Sequence, residues 1–266
     1  MDGRHNAGHD VEGVYMTNNE LNGKVAILTG GGRNIGRAIA LALAKDGASV
    51  VVNVRSNRTE AEAVVREIEA MGGKALVHIG DVADPKAVQA MVDATLNRFG
   101  RLDILINNAA LRREKTFAEM TYAEWREIMD VTLDGAFHCA KACLAALQKS
   151  GAGTIVNIGG LSAHTGAKSR SHVVTAKAGL IGFTRALAHE LGADGITVNC
   201  VVPGLIGTPR PKGQPEPAHH LTHGTITGER GKPEDVAAAV RFLCGPGARY
   251  ITGQAIHTNG GAYLGA

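Results

Sequence analysis

The chain has 266 residues, is 44% hydrophobic and carries 28 Lys+Arg against 25 Asp+Glu, a formal charge of +3; that is length enough for one large core and one domain. No apolar run approaches the roughly 20 residues that span a bilayer, and residues 1–20 hold no apolar stretch of the secretory kind, so neither a membrane anchor nor export is expected. The positive excess is spread along the chain rather than gathered in a run, which excludes a nucleic-acid footprint.

Residues 1–20 read as a polar N-terminal extension and 21–266 as a single domain. Strands are expected at 24–28, 49–54, 74–79, 103–106, 153–158, 195–201 and 254–257, where short apolar runs are bounded by turn residues. Helices are expected near 34–46, 59–72, 85–98, 121–149, 170–192 and 233–243, with Pro85 and Pro233 placed for first turns. Strands alternating with helices in this way make right-handed βαβ units, so the expected class is α/β: a Rossmann-type, doubly wound parallel sheet of about seven strands. Cys139, Cys143, Cys200 and Cys244 fall in apolar or helical segments without a C-x-x-C pair. Buried free thiols in a reducing compartment, the cytoplasm, follow from that, and no metal site.

After the first strand, Thr29 to Gly36 (TGGGRNIG) opens a helix. Glycines allow a tight turn and close approach to a pyrophosphate, whose charge the helix amides then hold. The spacing misses G-x-G-x-x-G, and Arg37 and Ala38 exclude an ATP-type P-loop. Over about residues 21 to 264 the chain resembles the short-chain dehydrogenase/reductase family. Thr29, Gly30 and Gly36 match its T-G-x-x-x-G-x-G turn, with Asn34 for the middle glycine. Gly80-Asp81-Val82 resembles its adenine-contacting segment, and Asn107-Asn108-Ala109-Ala110 its N-N-A-G. Val202-Pro203-Gly204 and Thr208 resemble the segment beside the nicotinamide, and GQAIHTNGGAYL the last strand. The cofactor-binding set that the resemblance implies is Gly30, Arg33, Asn34, Ile35, Gly36, Arg55, Ser56, Asp81, Val82, Asn108, Ala109, Lys177, Pro203, Gly204 and Ile206. No acidic residue ends the second strand, whereas Arg33 and Arg55 suit a 2′-phosphate, so the expected cofactor is NADP(H). The competing reading makes Arg55 a solvated loop cation.

The family's proton machinery is a serine, a tyrosine, a lysine that tunes the tyrosine and holds the nicotinamide ribose, and an upstream asparagine. Residues 153 to 191 align without a gap: Lys177 is present, but Gly160 stands for the serine, Val173 for the tyrosine and Thr132 for the asparagine. A missing general acid typically costs ~10²–10⁴-fold, less than near-attack positioning can supply, so hydride transfer to an iminium or other electron-poor acceptor stays feasible. The candidate catalytic set is Lys177, Ser162, His172 and Thr132, with Lys177 on the ribose hydroxyls and Ser162 on the pocket wall. His172 titrates near neutrality, but helical spacing turns Val173, not His172, toward Lys177, which favours a packed or capping histidine. His138 reads as a partly buried structural residue, and Trp125 as packed rather than stacked on cofactor. Residues 204–228 are expected to form a substrate lid, with Pro209, Pro211, Pro215 and Pro217; His219, His220 and His223 lack the company of a metal site.

These readings favour an NADP(H)-dependent oxidoreductase acting on a small organic molecule with a non-standard proton-handling site. A cofactor-dependent lyase-like or dehalogenating enzyme and a noncatalytic nucleotide-binding regulator are the alternatives. The resemblance further implies a homo-oligomer, tetramer or dimer, built through the two long helices.

Overall fold

A computed structural model describes residues 19–209 and 224–265. Residues 1–18 of the expected extension and 210–223 of the expected lid, with Pro211, Pro215, Pro217, His219, His220 and His223, lie outside the described residues.

β1 (Val25–Thr29), β2 (Ser49–Val54), β3 (Ala75–Ile79), β4 (Ile104–Asn107), β5 (Thr154–Ile158), β6 (Thr197–Pro203) and β7 (Ala255–Thr258) form one seven-stranded sheet. All pairings are parallel, in the order β3-β2-β1-β4-β5-β6-β7. Parallel strands covered on both faces read as unbroken apolar runs, and every residue of β1 and β5 is buried. Side chains alternate across the sheet. Ala26, Leu28, Val50 and Val52 pack one way, against Ile39 and Leu43 of α1 (Asn34–Lys45), Ile68 of α2 (Arg58–Ala70) and Val240 of α8 (Pro233–Cys244). Ile27, Val51, Leu105 and Ile155 pack the other way, against Met91 of α3 (Pro85–Phe99) and Cys143 and Leu147 of α5 (Gly135–Ser150).

Helix starts follow their caps. Asn57 accepts from the Glu60 amide ahead of α2, and Asp84 from Lys86 ahead of α3, where Pro85 fills the first turn. Thr121 and Glu124 form a reciprocal capping box on α4 (Tyr122–Met129). The expected helix over 121–149 is continuous, running as α4, a five-residue π turn at Asp130–Asp134 and α5, with helical backbone angles at both junctions. A Cβ on Gly135 would lie 2.7 Å from Val82 Cγ2, so α5 begins hard against the segment after β3. Arg126 bonds both Asp130 and Asp134 across the widened turn. A short helix not expected from the pattern, α6 (Ser162–Thr165), precedes α7 (Ser171–Leu191).

All four cysteines are buried and free. Among the described residues no helix is long and apolar enough to cross a membrane, and no cluster of three metal-ligating side chains occurs. Chain order reverses between β1 and β4: β2 lies on one side of β1, β4 on the other. That reversal opens a crevice beyond the carboxyl ends of the strands, the place where doubly wound sheets take ligands.

Candidate functional site

The floor of the crevice is the turn from Thr29 to Gly36. Gly30 has φ +65°, and a Cβ on Gly36 would stand 2.1 Å from the Gly30 carbonyl oxygen, so no side chain fits there. Asn34 takes φ +49°, the left-handed conformation that asparagine tolerates better than most residues. Unlike α2, α3 and α4, helix α1 carries no side-chain cap: its N-cap, Arg33, leaves the first-turn amides open. Ile35 turns its side chain into the core and offers the site its backbone alone. Thr29 Oγ1 accepts from the Asn108 and Ala109 amides, each at 3.0 Å, while Asn108 Nδ2 donates to the carbonyls of Thr29 and Gly30. The end of β4 is thus laced to the glycine turn.

At the far rim, Arg33, Arg55 and Ser56 are exposed. Glu60 reaches within 4.0 Å of Arg33, a carboxylate that reading the strand end alone overlooks. Asn53, buried at the end of β2, donates to the Gly80 carbonyl at 3.0 Å. Asp81 accepts from the Ala83 amide, and His138 Nδ1 lies 3.1 Å from the Val82 carbonyl. An uncapped helix end, a turn closed to side chains and two exposed guanidiniums suit a dinucleotide that carries a 2′-phosphate.

Lys177 is buried on α7, and its ammonium donates to the Ile158 carbonyl at the end of β5. Burial, helped by the charges of Arg112 and Arg170 and opposed by Cys200, lowers its pKa to about 8. One helical turn earlier, Val173 is packed with Ile128, Met129 and Ala176, and Trp125 lies against the same cluster. A Cβ on Gly160 would meet only Lys177 Cγ within 4 Å. Thr132, in the π turn, is 3% exposed, and its hydroxyl has no hydrogen-bond partner. His172 is 1% exposed, and neither ring nitrogen makes a hydrogen bond; burial pushes its pKa down. The charge of Arg170 acts on both His172 and Lys177, while those of Glu124 and Arg113 act on His172.

Ser162 is half-buried at the start of α6. Two residues on, His164 meets His257 edge-on and Tyr263 at a tilt, with ring separations of 4.6 and 5.0 Å. Pro203 ends β6, and Gly204 passes so close to Asn259 that a Cβ would fall 2.6 Å from its Cα. Ile206 bridges to Gly231. Beneath these groups, Asn107 Nδ2 donates to Asn157 Oδ1 at 2.9 Å and Asn157 Nδ2 to Thr184 Oγ1 at 2.9 Å; Thr184 Oγ1 donates to the Leu180 carbonyl. This relay ties α7 to the sheet. Neither it nor the roles of Asn53 and His138 were legible in the motifs, and polar residues at strand ends were their only signal.

Residues 30–263 match the enoyl-(acyl carrier protein) reductase family profile. The chain belongs to the short-chain dehydrogenase/reductase family. As a short-chain dehydrogenase/reductase it is an oxidoreductase. It is 40% identical over 245 residues to a 3-oxoacyl-[acyl-carrier-protein] reductase of Synechocystis sp., which covers 92% of this chain and 98% of the relative. With the corresponding Staphylococcus aureus reductase it shares 38% over 242 residues, 91% of this chain and 98% of that one. Among solved short-chain dehydrogenase/reductase structures, a Burkholderia cenocepacia enzyme in complex with NADP superposes with a TM-score of 0.85 at 38% identity, covering 91% of this chain and 99% of the other. A Sinorhizobium meliloti dehydrogenase/reductase gives 0.88 at 36% identity, covering 94% and 98%.

Proposed function

We propose that this protein is an NADP(H)-dependent oxidoreductase that transfers hydride to or from a small organic molecule whose reacting group needs no strong proton donor. The observation that carries the reading is the burial of Val173 among Ile128, Met129 and Ala176, one helical turn before the buried amine of Lys177.

The cofactor half rests on the amides at the start of α1, on Arg33 and Arg55 with Ser56 for the 2′-phosphate, and on Asp81 and Val82 for the base. Asn108 and Ala109, with Pro203, Gly204 and Ile206, serve the nicotinamide end. The NADP bound by the Burkholderia cenocepacia relative agrees with this assignment. When bound, the reduced nicotinamide supplies a hydride. An iminium that accepts a hydride becomes a neutral amine and requires no proton, whereas a ketone becomes an alkoxide that does. Val173 has no proton to give. Lys177 holds the ribose hydroxyls, Thr132 brings a buried hydroxyl without a hydrogen-bond partner, and Ser162 lines the pocket. His172 keeps α7 packed, since its sealed ring has no outlet for a proton.

The 3-oxoacyl reduction for which the relatives are named produces an alkoxide, so that activity is expected to be weak here. We place the enzyme in the cytoplasm as a homo-oligomer, tetramer or dimer.

The test follows NADPH absorbance and product mass with cyclic iminium substrates and their matched ketones. Iminium reduction at least about 10²-fold faster than ketone reduction supports the reading. Equal rates overturn the non-standard proton site; product formed without net NADPH oxidation favours lyase-like or dehalogenating chemistry, and binding without turnover of any substrate favours a regulator.

A further inference from the structure

We infer that His138 is a positioning residue for the adenine end of the cofactor, acting through the Val82 backbone; this rests on the dinucleotide reading above. A carbonyl oxygen only accepts, so the 3.1 Å contact requires His138 to present Nδ1–H to Val82. The same peptide unit is held at its other end, where the Ala83 amide donates to Asp81 Oδ1 at 3.0 Å. Its neighbours are fixed as well: Asn53 Nδ2 holds the Gly80 carbonyl, and the Asp84 amide holds that of Asp81. The Val82 side chain rests against Gly135, where even a methyl group would intrude.

The Val82 amide, by contrast, donates to nothing among the described residues. A fixed peptide with one free N–H is a donor prepared for a ring-nitrogen acceptor, and its aim depends on the groups that hold the next peptide. Asn53 belongs to β2 and Asp81 to the segment that follows β3. His138 belongs to neither: it projects from α5, the helix that continues from the π turn bearing Thr132. One helical unit therefore carries both the partnerless hydroxyl of Thr132 and the clamp on the Val82 peptide.

The experiment measures dissociation constants of the full chain for NADPH, for adenosine 2′,5′-bisphosphate and for reduced nicotinamide mononucleotide, in the wild type, His138→Leu and His138→Gln. Losing one hydrogen bond predicts about five- to tenfold weaker binding of NADPH and the bisphosphate by His138→Leu, with the mononucleotide unchanged. His138→Gln retains an N–H donor and is expected to stay within about twofold of wild type. The inference is overturned if His138→Leu binds the bisphosphate as wild type does, if it weakens all three ligands alike, or if glutamine rescues nothing. A wild-type chain that binds neither NADPH nor the bisphosphate removes the dinucleotide reading itself, and this one with it.

Discussion

The Cγ atom of Lys177 stands 3.9 Å from the point where a side chain at Gly160 would begin, and nothing else comes within 4 Å of that point. A serine there is sterically free, whereas a tyrosine at Val173 must enter the packed cluster of Ile128, Met129 and Ala176. Gly160→Ser alone is expected to leave the melting temperature nearly unchanged. Adding Val173→Tyr should cost about 1–3 kcal/mol by overpacking. The double variant should raise NADPH-dependent ketone reduction by roughly 10²–10⁴-fold. Melting curves and steady-state rates on one ketone check both; no gain in rate would mean that the proton donor is not what this site lacks.

Lys177 predicts a pH dependence. Its folded pKa, lowered to about 8, lies below the ordinary lysine value of 10.5. Between those two values the unfolded chain binds the extra proton, so this residue's contribution to stability rises as pH climbs from about 8 toward 10.5. A ligand that prefers the charged amine shows the opposite trend: NADPH affinity should fall as pH rises through about 8. Lys177→Met should flatten both profiles, which denaturation midpoints and titrations from pH 6 to 10 would reveal.

Arg33 and Arg55 are expected to set the preference for NADPH over NADH. Each charge-assisted bond to a 2′-phosphate is worth about 1.5–3 kcal/mol, so Arg55→Ala should weaken NADPH roughly 10- to 100-fold and leave NADH little changed. Glu60 lies 4.0 Å from Arg33 and competes for it. Glu60→Gln should therefore tighten NADPH binding, most visibly at low salt. An unchanged NADPH affinity would place Arg55 in solvent, and equal weakening of both nucleotides would place it at a part they share rather than at the 2′-phosphate.

The glycine turn separates two kinds of backbone demand. Gly36→Ala sets a methyl group against the Gly30 carbonyl and should abolish NADPH binding while lowering the melting temperature. Asn34 already occupies left-handed space, so Asn34→Gly should be near neutral, whereas Asn34→Val should cost about 1–3 kcal/mol. Calorimetry of the three variants tests the contrast.

The strands were legible because a parallel sheet covered on both faces writes itself as apolar runs, and β1 with its five buried residues is the plainest case. The π turn between α4 and α5 was not. Its residues do not interrupt the helical pattern, and the close approach of Gly135 to Val82 beside it joins positions far apart in the chain. The second strand is marked in the sequence only by the acid it lacks, and that does not disclose that the Asn53 amide near its end holds Gly80. The motif disclosed Lys177, but the guanidiniums that depress its pKa come from the segments after β4 and before α7, whose convergence only the tertiary structure supplies.

The hydrogen-bonded chain from Asn107 through Asn157 to Thr184 constrains how this protein can diverge. Asn107 donates to Asn157, Asn157 to Thr184 and Thr184 to the Leu180 carbonyl, so replacing Asn157 or Thr184 alone leaves a buried donor stranded at a cost of about 1–3 kcal/mol. Descendants can therefore cross from this arrangement to an apolar one only by concerted substitutions on β4, β5 and α7. The helix that carries Lys177 inherits that conservatism, and change is freer at Gly160, which has no side chain to surrender.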